Sequence, residues 1–316
     1  MKIFITGACG YQGTKIIPIL LEQNYKVTAL DTMWFGNRLK KHKNLKIIKK
    51  NVIDVEPKDL KNIDIILHLA SIANDPMGDL KQHLTWEYSC IATMKLTELA
   101  IKNKVKKIIY ASSSSVYGVK TEKNVVEDLS LEPISTYNKA KMIAERVLLS
   151  YKKKINISII RPATVCGISP RMRFDVSVNM LTYQAIKNKK ITVFGGSQIR
   201  PNIHIDDLLR LYIKFFNTNK KYNGIFNAGF ENLSIMNIAK LVQSNIPCEI
   251  IQINNVNDIR SYRVNSDKLL NLGFKPKKNV EDAIIEIKKK FEKNINNLDK
   301  RFFSINWLKK VFNERK

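Results

Sequence analysis

The sequence predicts an α/β protein built on a doubly wound parallel sheet, with a smaller, intertwined α/β lobe supplied by its C-terminal half. Three observations carry this. Short apolar runs rich in β-favouring residues alternate with helical spacing through the first half of the 316 residues, the pattern of successive βαβ units. Gly7, Gly10 and Gly13, in G-x-x-G-x-x-G spacing, join the first run to the first helix. From about Gly167 the rhythm changes to short strands, basic loops and helices, with no repeat or low-complexity linker at the boundary.

Lys2–Thr6 forms the first strand, and the helix Tyr11–Gln23 follows the glycine turn. Such a turn lets backbone N–H groups approach a pyrophosphate, and the positive end of the helix dipole faces it. Gly7, Gly10, Tyr11, Gln12 and Gly13 are therefore candidate cofactor-binding residues. The strand Lys26–Leu30 ends at Asp31, roughly twenty residues beyond the turn, where a carboxylate accepts hydrogen bonds from a ribose. Its charge would repel an extra phosphate, which favours NAD over NADP.

Further strands are expected at Leu45–Lys49, Ile63–Leu69, Lys107–Ser112 and Ile155–Ile160, with helices at Leu80–Asn103 and Tyr137–Lys153. Ligands of such a sheet lie at the carboxyl ends of its strands. The second half offers a basic loop at Ser169–Arg173, a helix at Val178–Asn188, and a strand Ile191–Phe194 ended by Gly195 and Gly196. A helix from Asp206 to Asn217 leads to Ile225–Asn227, a strand expected to return to the sheet, before the helix Met236–Gln243 and the strand Glu249–Ile253. The domain reading is a cofactor domain over 1–166, with 203–228 returning to it, a second lobe over 167–202 and 229–290, and a basic amphipathic helix over 291–316. Aromatic and cationic residues alternate in that last segment, which suits packing on the protein's own body, on a partner subunit or, as a weaker reading, on a membrane surface.

Net charge is +26. The lysines are spread along the whole chain among abundant Ile and Asn, without a concentrated arm or a nucleic-acid motif, so compositional bias explains the charge and no nucleic-acid partner is expected. Cys9, Cys90, Cys166 and Cys248 show no paired spacing, so neither a metal site nor a disulfide framework is indicated. Without a leader pattern or an apolar run of about eighteen residues, the expectation is a cytoplasmic protein, neither exported nor membrane-spanning.

Tyr137 and Lys141 stand four apart at the start of a predicted helix and share one face. Upstream, Ser112 to Ser115 leave a strand at its carboxyl end. A free tyrosine, with a pKa of about 10, is too weakly acidic to act as a base at neutral pH. A neighbouring ammonium and an oxidised nicotinamide would stabilise the phenolate.

With these motifs in this order, the chain resembles the extended short-chain dehydrogenase/reductases, in particular the nucleotide-sugar epimerase/dehydratase family, over Met1 to about Lys290. The resemblance implies a Rossmann-type fold, NAD as cofactor and a nucleotide-sugar substrate, a UDP-sugar being favoured, in a pathway to glycan precursors. It implies that Asp54 and Val55 meet the adenine, that Leu69, Ala70 and Ser71 lie beside the cofactor, and that Pro162 lies near the nicotinamide. Tyr137 is implied as base, Lys141 as its partner and the ribose ligand, and Ser113 as the group that orients the sugar hydroxyl. Arg200 and Arg260 fall in segments that hold the sugar-nucleotide diphosphate. Ser114, Thr164 and Asn179 complete the expected substrate contacts, with Arg171 and Arg173 as extra phosphate or sugar ligands. Relatives commonly form dimers through helices equivalent to Leu80–Asn103 and Tyr137–Lys153.

Within the family, dehydratases carry an Asp-Glu pair after the catalytic Ser/Thr, and decarboxylases a Glu. Here Ser114 and Ser115 stand instead, and neither hydroxyl is a competent acid or base at neutral pH. The resemblance therefore favours a 4-epimerase, in which a keto-sugar turns in the pocket and is reduced on its other face. A dehydratase, oxidase or keto-sugar reductase outcome remains the alternative, while intact Ser113, Tyr137 and Lys141 argue against a non-catalytic NAD-binding module. Two departures stand out: Ser89 where Asn is usual, and Cys166 where Tyr is usual.

Overall fold

Ile3, Phe4 and Ile5 are all fully buried, yet they serve different cores: Ile3 and Ile5 face one side of the sheet and Phe4 the other. Ile65 and Leu67 oppose Ile66 in the same way, and Ile109 opposes Ile108. A strand covered on both faces must be apolar throughout, which is why these runs read as continuous rather than alternating.

The computed structural model describes residues 1–254 and 261–313. In chain order it begins β1 (Lys2–Thr6), α1 (Gly13–Glu22), β2 (Lys26–Asp31), β3 (Leu45–Lys49) and β4 (Ile65–His68). It continues α2 (Asp75–Gly78), α3 (Gln82–Trp86), α4 (Ala92–Lys102), β5 (Lys107–Ala111), α5 (Thr136–Ser150), β6 (Asn156–Pro162) and β7 (Thr164–Cys166). Then come α6 (Ser177–Asn188), β8 (Lys190–Phe194), β9 (Ile199–His204), α7 (Ile205–Lys214), β10 (Gly224–Ala228), β11 (Glu231–Ser234), α8 (Ile235–Asn245) and β12 (Glu249–Ile253). The last helices are α9 (Asp267–Asn271), α10 (Val280–Phe291) and α11 (Ser304–Asn313).

Seven strands form one parallel sheet in the order β10-β6-β5-β4-β1-β2-β3. The order reverses between β4 and β2 around β1, which places a crevice at the carboxyl end of β1. Gly224–Ala228 does return to the sheet, as its outermost strand beside β6. The second lobe carries the small sheets β11-β9-β7 and β12-β8.

Two differences from expectation have local causes. Leu80–Asn103 is not one regular α-helix: α3 runs on into α4 through a π-turn over Glu87–Ile91, with helical backbone at both junctions. There the Ser89 hydroxyl lies 3.0 Å from that of Ser71, and its carbonyl accepts from Thr93 Oγ1. Such turns are frequent at functional sites. The C-terminal segment is not one helix either: α10 ends at Phe291, and two short 3₁₀ turns precede α11. The apolar side of α11, Leu308, Val311 and Phe312, is buried against Ile72 and Met77, so packing on the protein's own body accounts for its pattern. No helix among the described residues is long and apolar enough to cross a membrane.

Arg161, at the carboxyl end of β6, is 2% exposed and bonds Glu145 of α5 at 2.7 Å. Glu145 also accepts from Ser112 at 2.5 Å, and Arg161 donates to Tyr117 Oη, which donates to Asn227 of β10. One buried ion pair thus ties β5, β6, β10 and α5 together. Removing one member strands the other charge, so Glu145→Ala is expected to cost about 3–5 kcal/mol in denaturant unfolding.

At the start of α7, His204, Asp206 and Glu286 come close enough to share an ion. Lys278 donates to both carboxylates and Lys15 pairs with Asp206, so ammonium groups already neutralise the cluster. Burial raises the Glu286 pKa, but the His204 imidazole 3.4 Å away and the hydrogen bond from Lys278 win and hold it at about 2. A depressed folded-state pKa contributes stability that is complete above the unfolded value of about 4.3 and is lost as pH falls through about 2. In urea titrations, the stability gap between wild type and Glu286→Gln should therefore close across that window.

Candidate active site

The glycine turn is built for close approach. Gly7 has φ +68°, and a Cβ there would lie 2.8 Å from Ala70 N, while a Cβ on Gly13 would collide with the Ala8 carbonyl. Beside the turn, Asp31 at the tip of β2 accepts from the backbone N–H groups of Cys9 (2.9 Å) and Met33 (2.6 Å). Burial raises its pKa, against those two N–H groups and the Arg171 guanidinium.

From here a cavity runs along the carboxyl ends of β1, β2 and β4. Its wall includes Gly7, Gly10, Tyr11, Gln12, Gly13, Asp31, Leu69, Ala70 and Ser71, the predicted cofactor residues. Lys50, Asn51 and Val52 line the end where Asp54 and Val55 were expected; Asp54 is exposed and Val55 is buried outside the wall. Tyr11 contributes its backbone side, because its hydroxyl donates to the Gly167 carbonyl at 2.5 Å. Gln12 accepts from Tyr212 Oη at 2.9 Å.

Beyond Ser71 stand the catalytic candidates. Ser135 caps α5, accepting from Asn138 N, and so sets Tyr137 in the first turn and Lys141 one turn on. The Lys141 ammonium is buried, donates to the Ala111 carbonyl at 2.7 Å, and lies 4.6 Å over the Tyr110 ring and 5.9 Å from the centroid of Tyr137. Burial lowers its pKa to about 7. Tyr137 is hydrogen-bonded to Ser113, but burial and the charge of Asp75 push its phenol up to about 12. Lys141 alone therefore does not prime the tyrosine, in keeping with the expectation that an oxidised nicotinamide must act beside it. Ser113 Oγ is 2.6 Å from Ser115 Oγ, which donates to Asn138 at 2.5 Å. Pro162 is buried on β6 outside the cavity wall.

The expected substrate residues divide. Thr164 is half-buried on β7, and Arg200 is half-buried on β9. Ser114 is buried, 3.1 Å from Tyr262 Oη. Asn179 is spent inside the protein, accepting from Gly167 N and donating to Tyr11 Oη and the Arg173 carbonyl, so its amide fastens the loop after β7 instead of meeting a ligand. Arg171 and Arg173 both line the cofactor cavity, Arg173 paired with Asp175 at 2.8 Å. Arg260 lies outside the described residues. Cys166 is buried, its thiol donating to the Ile203 carbonyl, so the usual tyrosine is replaced by a core residue.

The model of the NAD dependent epimerase/dehydratase family matches residues 3–229. The chain belongs to that family, and it is an NAD-dependent enzyme. An uncharacterised UDP-glucose epimerase, YtcB, from Bacillus subtilis is 30% identical over 77% of this chain and 81% of its own. The structure of a UDP-glucuronic acid 4-epimerase from Bacillus cereus, in complex with UDP-glucuronic acid and NAD, is 26% identical, with TM-score 0.80, over 92% of this chain and all of that one. An NAD-dependent NDP-hexosamine 5,6-dehydratase of tunicamycin biosynthesis shares the fold, with TM-score 0.85 at 21% identity over 94% of this chain and all of that one.

The residues present fit NAD: a turn that only glycines can form, a carboxylate at the ribose position and backbone donors at a helix end. Sequence reasoning missed Asp75 and Gly78. A Cβ on Gly78 would lie 2.8 Å from Tyr137 Cβ, so α2 packs directly on the catalytic candidate. Gly78 ends the four-residue α2, ahead of the expected helix Leu80–Asn103, so no helical pattern marked it. Tyr137→Phe should lower kcat roughly 10²–10⁴-fold, while NAD still co-elutes in gel filtration, because Tyr137 is not part of the cofactor-cavity wall.

Proposed function

We propose that the protein is a nucleotide-sugar 4-epimerase that acts on a UDP-sugar, oxidising carbon four and restoring it with inverted configuration. The observation that carries this is the set of groups after Ser113: Ser114 turns to Tyr262 and Ser115 to Asn138, so neither position brings a carboxyl group to an elimination. When bound, NAD would supply the hydride acceptor and, as the oxidised ring, a positive charge. The chain's own residues do the rest. Ser113 orients the sugar hydroxyl, Tyr137 takes its proton and returns it, and Lys141 holds the nicotinamide ribose and supports the phenolate. Thr164 and Arg200 serve the sugar nucleotide from the second lobe. Arg200 suits a diphosphate, which a guanidinium grips with two hydrogen bonds at once.

Asp75 favours a second reading. Its carboxylate accepts from Ser135 at 2.6 Å and lies close enough to Tyr137 to raise the phenol's pKa. It would be an acid or base for loss of water from the keto-sugar. Incubation of purified protein with NAD and a UDP-hexose, followed by mass spectrometry and NMR of the sugar, separates the two. The epimerase reading predicts an isomer of unchanged mass and no accumulation of NADH. A product lighter by one water would overturn it in favour of Asp75. For assembly, we propose a homodimer through α4 and α5, where Met94 and Ile143, with Ile91 of the preceding π-turn, remain exposed.

A further inference from the structure

The cofactor cavity has a wall that no part of the glycine-turn motif supplies. Ser304 and Leu308 of α11 line it together with Gly10, Asp31, Trp34 and Phe35. The helix spans from the loop after β2 to the loop after β4, passing over the end of β1. On one side Trp307 Nε1 donates to the Trp34 carbonyl at 2.7 Å, and Phe312 meets the Trp34 ring edge-on at 5.5 Å. On the other, Leu308, Val311 and Phe312 pack on Ile72 and Met77. The carboxyl ends of those three strands are where a dinucleotide lies in a doubly wound sheet.

Arg171 joins this cover to the site. It is 3% exposed, lies 4.0 Å over the Phe35 ring and donates through Nη2 to Ser304 at 2.8 Å. Its Nε is buried and has no partner among the described residues. Asp31 lies near, but its oxygens already receive two backbone N–H groups. A desolvated guanidinium with a spare donor at the cavity wall matches a phosphate oxygen. Ser304 in turn donates to Asp175 at 3.0 Å, and Asn74 donates to the other oxygen of Asp175 at 2.9 Å. Arg38 pairs with Asp299, and Phe174 N donates to the Phe302 carbonyl at 3.0 Å. The cover is thus fastened to the loops after β2, β4 and β7.

We infer that α11, held through Ser304 and Arg171, is part of the cofactor site: it closes over the diphosphate and adenosine side of NAD and governs how long the dinucleotide stays bound. The inference rests on NAD binding and is independent of the epimerase reading. Arg171 then serves the cofactor diphosphate rather than the substrate.

The test uses the full-length protein, stripped of nucleotide and reloaded with NAD. Hydrogen–deuterium exchange over residues 304–313 should slow markedly on loading, and Ser304→Ala and Arg171→Gln should release radiolabelled NAD about tenfold faster into excess unlabelled NAD, with unchanged circular dichroism. Unchanged exchange over 304–313 in NAD-loaded protein overturns the inference, as does wild-type release from both folded variants. If either substitution prevents folding, the exchange measurement on wild type decides alone. Failure of the wild type to bind NAD at all would instead overturn the cofactor assignment.

Discussion

The contact between the glycine turn and the loop after β7 holds the enzyme in its working shape. Tyr11 is part of the turn, yet its hydroxyl reaches across 156 positions to the Gly167 carbonyl. Ser169 Oγ donates back to the Tyr11 carbonyl at 2.6 Å, and Arg171 N donates to Thr14 Oγ1. These bonds fix the second lobe on the mouth of the cofactor site, so the two lobes cannot be positioned independently. Asn179 belongs to the same junction, which explains why its amide faces protein on every side.

Electrostatics at the reacting end follow from burial more than from neighbours. Burial disfavours whichever form is charged, so it raises the Tyr137 phenol and lowers the Lys141 ammonium. Both shifts favour the uncharged form of the side chain. A phenolate at Tyr137 thus needs a further positive charge beside it to form near neutral pH.

How much of this was legible in the chain depended on how local its cause was. The strand Lys2–Thr6, the glycine turn and Asp31 are marked by a residue pattern confined to about thirty positions of sequence, and all were readable. So was the pairing of Tyr137 with Lys141, which needs only helical spacing. The π-turn at Glu87–Ile91 was not, because it answers to Ser71 on a different element. Arg171 was readable as a cationic loop residue, but its orientation depends on Phe35 and Ser304, far away in sequence. Asp54 was carried over from a family pattern, whereas the cavity wall falls three positions earlier, where Asn51 caps a short turn by accepting from Ile53 N.

The position of β10 bears on how the chain reaches this state during synthesis. Until residues 224–228 emerge, β6 is an open edge, a row of unpaired backbone groups that another chain could join. Lys107 of β5, fully buried in the finished molecule, donates its hydrogen bonds to the carbonyls of Asn217 and Tyr222, which appear just as late. An N-terminal fragment ending near residue 166 would thus expose an adhesive strand and bury a cation without its acceptors. Such long-range closure slows folding, and it leaves the nascent first half the stage most exposed to edge-to-edge pairing with another chain.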